Sequence, residues 1–266
     1  MQSLESVSRA DLDRLSNSRI FFGHQSVGYD LMEGVASILN RRGDLRLNVV
    51  ESDAPQTFGE PVWAHARVGQ NRDPVSKIHA FRTVLEGGAG DKVDVAFFKF
   101  CFVDVKRGTD VEALFEAYRS HLESLKARFP RVQFVHVTVP LMTCPQSFAS
   151  RVKRRIKTWL GRTDERAEDN LSRCRYNRLL VKEYAGKDPI FDLALIESQS
   201  PDGRRAGCAY RGEEVSSLAR EYSRDGGHLN EQGQVHAAEQ LLVLLAGIRG
   251  NDGSAPSELP QAPERR

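Results

Sequence analysis

The sequence predicts an α/β fold, a three-layer sandwich built on a central parallel sheet of five strands. Three observations carry that expectation. Short β-rich apolar runs alternate with segments whose apolar residues recur at helical spacing. The run Val93–Val103 is apolar on both faces for most of its length, as in a strand covered from both sides. A composition of 40% hydrophobic and 28% charged residues is that of an ordinary globular domain. We place one domain at 1–250 and a disordered tail at 251–266, whose Pro, Ser, Ala and charged residues leave almost nothing to bury.

Arg19-Ile-Phe-Phe-Gly23 is a short apolar run closed by glycine, and Val27, Leu31, Val35, Ile38 and Leu39 then fall on one helical face. The chain therefore opens strand, turn, helix. A second strand is expected over Leu45–Val50, whereas the Gly, Pro and Asn content of Ala54–Pro74 reads as an ordered surface loop. Pro74 suits the first turn of a helix that carries Val75, Ile78, Phe81 and Leu85 inward until Gly87-Gly88 stops it. After the Val93–Val103 strand, Val111, Leu114, Phe115, Tyr118, Leu122 and Leu125 mark a long helix that Pro130 ends, and Val132–Val139 is the next strand. A helix over Leu171–Tyr184, a short strand over Pro189–Leu193 and a last helix with Val235, Ala238, Leu242, Leu245 and Ile248 inward complete the pattern. Right-handed crossovers between such units give a flavodoxin-like layout. Ligands on these sheets bind beyond the carboxyl ends of the strands, so the loops after Gly23, Val103 and Val139 and the loop before the last helix should converge.

The segment 141–173 is a candidate lid or insertion. Within it, Arg151–Leu160 sets Val152, Ile156, Trp159 and Leu160 on one helical face and five basic residues elsewhere, which fits a solvated basic helix or a cover over the site. The 38 basic and 36 acidic residues leave a net charge of +2, too weak a field to make nucleic acid the main partner. Cys101, Cys144, Cys174 and Cys208 show no metal or CxxC spacing and read as free thiols of a reducing compartment. The N-terminal residues hold no long apolar run and no window is long enough to span a bilayer, so a cytoplasmic chain without stable membrane insertion is expected. Oligomeric state is not encoded in any motif we can read.

Two stretches carry chemistry. Ser26, in Gly23-His-Gln-Ser-Val-Gly28, lies where the first strand meets the first helix, so its amide points from a helix N-terminus that favours developing negative charge. A serine at such a junction also serves as a plain helix cap. Asp225-Gly-Gly-His-Leu-Asn230 lies just before the last helix. An Asp three residues ahead of a His in a tight turn can accept the imidazole Nδ1–H and leave Nε2 to take a serine proton. The duller reading is a glycine-rich turn with a surface Asp and an incidental His. A parallel sheet brings both loops to one edge, which makes a serine nucleophile (Ser26), a general base (His228) and its orienting acid (Asp225) the joint expectation.

In that first-block serine and last-block Asp-x-x-His the chain resembles the SGNH, or GDSL-type, hydrolases. The flanks Arg175–Tyr184, Ile190-Phe-Asp192-Leu and Asp225–Gly233 are similar to that family's C-terminal third. The resemblance spans most of residues 19–248. It implies the SGNH hydrolase fold, an acyl-enzyme on Ser26 and hydrolysis of a small ester, for instance an O-acetyl group on a carbohydrate, with no cofactor and no metal.

Two departures stand out. The usual Gly-Asp-Ser becomes Gly23-His-Gln-Ser26, and the family's third-block Asn, an oxyanion donor, is missing from Lys99-Phe-Cys-Phe-Val-Asp104. Val68-Gly69-Gln-Asn71 could supply a substitute, with the Gly69 amide and the Asn71 side chain both donating; a turn before Pro74 explains the same residues. His24 lacks partners at metal-ligand spacing, Cys101 in a Phe-rich strand fits an inert core thiol, and His136 fits one internal hydrogen bond. Lys99 and Asp104 either pair near the crevice or mark the strand's end. A non-catalytic binding protein and an O-acyltransferase remain alternative readings of the same residues.

Overall fold

The structure, a computed structural model, describes residues 2–144 and 165–248. Five parallel strands form its sheet: β1 (Arg19–His24), β2 (Val49–Glu51), β3 (Val62–Arg67), β4 (Val95–Phe98) and β5 (Gln133–Phe134), in the order β2-β3-β1-β4-β5. The chain runs straight on from β5 into β6 (His136–Val137), which pairs in parallel with β7 (Ile190–Phe191). Setting aside the short edge strand β2, the succession β3-β1-β4-β5/β6-β7 is the 2-1-3-4-5 order of a flavodoxin-like sheet.

Why the strands are apolar throughout is visible in their alternation. Ile20, Phe22, Val95 and Phe97 pack into one core, while Phe21, Ala96 and Phe98 pack into the other. The first core is closed by helices α1 (Arg9–Ser16), α2 (Ser26–Arg41), the short α6 (Leu193–Ser198) and α7 (Glu231–Gly247). The second is closed by α3 (Pro74–Val84), α4 (Val111–Arg128) and α5 (Glu165–Tyr184). The helices end where capping chemistry dictates: Asp73, Asp110, Asp192 and Asn230 each accept a first-turn amide of α3, α4, α6 and α7.

Several expectations are corrected. The loop expected over Ala54–Pro74 contains β3, which lies beside β1 near the middle of the sheet; its punctuating residues Gly59, Pro61 and Gly69 flank the strand rather than interrupt it. The strand expected over Leu45–Val50 shrinks to β2, and that over Val93–Val103 to β4, because the chain turns after Phe98 while Phe100 and Cys101 stay buried. On α3, Val75 is 43% exposed and Lys77 is buried instead. An unforeseen hairpin, β8 (Gly207–Tyr210) with β9 (Glu213–Ser216), packs on α5. Cys144 and Cys208 are joined in a disulfide, contrary to the expectation of four free thiols; Cys101 and Cys174 are free. Among the described residues no helix is long and apolar enough to cross a membrane. Of the candidate lid, Arg151–Leu160 and the rest of 145–164 lie outside the described residues, as does the tail 251–266, while 165–173 are the first turns of α5.

Candidate active site

Strand β1 delivers the chain to the carboxyl edge of the sheet, where Gln25 takes the N-cap position of α2 without a side-chain cap bond. Ser26 is thus the first helical residue rather than the cap. As such its amide has no carbonyl four residues back to bind. The packing that allows this is tight: a Cβ on Gly28 would lie 2.1 Å from the His24 ring.

From the other end of the chain, the loop Ser223–Asn230 comes to the same edge. It is pinned from three sides. Asp30, one turn behind Ser26 on α2, accepts the Leu229 amide at 3.1 Å; Thr143 donates its amide to Gly226 at 2.9 Å; and Asn230 donates its amide to Tyr222 at 2.8 Å. Gly226 takes φ +100, a left-handed conformation, and a Cβ on Gly227 would meet the Phe102 ring at 2.8 Å. Phe102 then stands edge-on to His228, with 5.4 Å between ring centroids.

The structure brings Ser26, His228 and Asp225 into one chain of hydrogen bonds. His228 Nε2 lies 3.0 Å from Ser26 Oγ, and His228 Nδ1 lies 2.7 Å from Asp225 Oδ2. The other carboxylate oxygen of Asp225 accepts the amides of Gly227 at 3.0 Å and His228 at 2.8 Å. Desolvation raises the Asp225 pKa, but the His228 and Gly227 amides and the His228 ring outweigh it and hold the carboxyl down at about 2. An ionised Asp225 fixes the proton on Nδ1, so Nε2 presents a lone pair to the serine hydroxyl. Such a unit can deprotonate an alcohol as it attacks a carbonyl.

Comparisons with known proteins bear on the fold. No family model and no curated protein matches the chain. Among solved structures it is similar to a Streptococcus pneumonia structure named as a platelet activating factor, with 13% identity, TM-score 0.50, and coverage of 89% of this chain and 90% of that one. A GDSL-like lipase from Bacteroides thetaiotaomicron aligns with 12% identity and TM-score 0.49 over 91% of this chain and 100% of its own. The likeness shows the fold alone: a central parallel sheet of five strands with helices on both sides.

Gly69 sits after β3, against the junction of β1 and α2: Val68 donates its amide to His24 at 3.0 Å, and Gln25 Nε2 donates to the carbonyls of Gly69 at 2.8 Å and Val68 at 3.1 Å. Asn71 follows two residues later on an exposed turn, its Oδ1 accepting from Lys77 Nζ at 2.9 Å. After β4, where the missing Asn would stand, come the buried Phe100, Cys101 and Phe102. Lys99 does not pair with Asp104. It is buried and donates to the Phe100 carbonyl at 3.2 Å, while Asp104 pairs with Lys77.

His24 is engaged below the site, Nδ1 on the Gln25 carbonyl and Nε2 on His65 Nδ1, each at 2.9 Å. Burial pushes its pKa down to about 3, so it is a neutral packing residue. His136 has two partners rather than one, Tyr118 at 2.7 Å and Asp188 at 3.4 Å. Among the described residues no group of three metal-ligating side chains occurs. Reading the sequence missed Lys77, Asp104's true partner and Asp30. Only Asp30 left a signal, since its i+4 spacing from Ser26 sets both on one helical face.

Proposed function

We propose that this protein is a serine hydrolase of small esters, with O-acetyl groups on carbohydrates as the working substrate class. The observation that carries the reading is the continuous hydrogen-bonded chain Ser26–His228–Asp225 at the carboxyl edge of the sheet. His228 takes the Ser26 proton as Oγ adds to the acyl carbon. The tetrahedral oxyanion is held by the Ser26 and Gly69 amides and by Asn71. His228 returns the proton to the leaving alcohol, and a water activated by the same imidazole then releases the acid. An acyltransferase would differ only in the alcohol that replaces this water. The cytoplasmic location expected from the sequence belongs to this reading only if Cys144 and Cys208 are reduced in the cell, because disulfides persist in oxidising compartments.

Hydrolysis of p-nitrophenyl acetate by the purified protein is the test. Turnover in the wild type that falls at least about a thousandfold in Ser26→Ala and in His228→Ala supports the reading. The absent third-block Asn favours a rival, a binding protein on the same fold, and equal background rates in all three proteins would establish that rival.

A further inference from the structure

Beneath the turn that carries Gly69 and Asn71 lies an ion pair with no exposure on either side chain: Lys77 on α3 and Asp104 beyond β4. Burying two charges is a poor route to stability, since desolvation offsets their attraction. We infer that this pair presets the Asn71 amide as an oxyanion donor before substrate arrives, an inference that rests on the hydrolase reading above.

The geometry is specific. Lys77 Nζ donates both to Asp104 Oδ2 and, at 2.9 Å, to Asn71 Oδ1. An ammonium has three protons and no lone pair, so only the oxygen of the Asn71 amide can face it. That settles which way the amide is turned and leaves the Nδ2 hydrogens directed away from Lys77. Asp104 meanwhile clamps the backbone at both sides of the crevice, accepting the Cys101 amide at 2.6 Å from the β4 side and the Arg72 amide at 2.8 Å from the turn. Arg72 has φ +71, a left-handed conformation that costs a residue with a side chain, and the Asp104 bond holds it there. Gly69, φ +59, rests so close on α3 that a Cβ would lie 2.5 Å from the Lys77 amide. The Gln25 bonds to Gly69 and Val68 then couple this clamped turn to the residue next to the nucleophile. Lys77 and Asp104 are positioning residues in this scheme: they touch no substrate and act through Asn71, which does from the turn after β3 the work that the resemblance gives to an Asn after β4.

The test compares Asn71→Ala, Lys77→Met and the double variant in ester hydrolysis. Losing an oxyanion donor costs roughly a hundredfold or more in kcat. Lys77→Met is expected to lower kcat at least about tenfold with KM little changed, and the double variant to be no slower than Asn71→Ala alone. Unchanged kcat in Lys77→Met, losses that multiply in the double variant, or a loss confined to KM would overturn the inference. A wild type with no Ser26-dependent turnover would instead remove the hydrolase reading. Should Lys77→Met fail to fold, the wild type decides by NMR relaxation of its Asn71 side-chain amide. An order parameter near that of rigid backbone, about 0.85, supports the preset donor, and one below about 0.6 overturns it.

Discussion

Replacing Asp225 by Asn separates orientation from charge in an unusual way. In the native loop both backbone amides sit on one carboxylate oxygen and the imidazole on the other. An Asn at 225 has a single acceptor oxygen. If its NH2 faced the Gly227 and His228 amides, donors would oppose donors, so the oxygen must stay there and the NH2 must face Nδ1. The ring is then forced to carry its proton on Nε2, where it meets Ser26 as a donor and cannot accept. In a serine protease the equivalent change costs about 10⁴ in kcat, or about 5.5 kcal/mol of barrier. Asp225→Ala removes the ion but imposes no wrong tautomer. It also loses the turn's side-chain acceptor, worth about 1 kcal/mol of stability. We therefore expect Asp225→Asn to be the slower enzyme and Asp225→Ala the less stable one, measured as kcat on p-nitrophenyl acetate and as thermal midpoint. If Asp225→Asn keeps kcat within tenfold of wild type, or if Asp225→Ala is slower by tenfold than Asp225→Asn, the tautomer reasoning fails.

Other perturbations act on the frame that brings the two ends of the chain together. A Cβ at Gly34 would sit 2.2 Å from the Gln234 carbonyl oxygen and 2.8 Å from Ala238 Cβ, so Gly34→Ala must push α7 off α2. We expect a loss of about 3 kcal/mol in urea unfolding and slower turnover, since α2 carries Ser26 and α7 follows His228; a native-like midpoint would contradict the close packing. Stability should also vary with pH on both flanks. Burial lowers the pKa of His24 to about 3 and also lowers those of His65, His136 and His236, so the folded chain binds fewer protons than the unfolded one below pH 6.5. Stability is thus lost on acidification from pH 6.5, by up to about 1.4 kcal/mol per pH unit for His24, with the other three histidines acting in the same direction. Burial pushes Glu197 the other way, up to about 8, so the folded state keeps a proton that the unfolded state has already released. That stability is lost as pH rises toward 8, and Glu197→Gln should flatten the decline between pH 6.5 and 8. An unchanged alkaline slope in that variant would show that Glu197 is ionised in the fold.

The fold class and the meeting of Ser26 with His228 were legible in the sequence because each depends on a local pattern. Strand-turn-helix at Arg19–Leu39 and the Asp225–Asn230 turn are continuous stretches, and a parallel sheet supplies their convergence without further information. What depended on contacts between distant residues was not legible. Strand β3 has only six residues, and its buried His65 and exposed Arg67 broke the apolar pattern, so the glycines and prolines around it dominated the reading. The inward face expected for α3 ran through Val75, Ile78, Phe81 and Leu85 and did not include Lys77. Ile78, Phe81 and Leu85 are inward as expected, but Lys77 is buried on its pair with Asp104, 27 residues away, and Val75 is exposed. The disulfide between Cys144 and Cys208 spans 64 residues and leaves no mark in their spacing.

The most direct measurement is the site of covalent capture by a fluorophosphonate, mapped by peptide mass spectrometry on the intact protein and repeated with His228→Ala. The account predicts one phosphonylated residue, Ser26, and capture slowed at least about a hundredfold without the imidazole. Modification of another side chain, or an unmodified Ser26 after prolonged exposure, would contradict it.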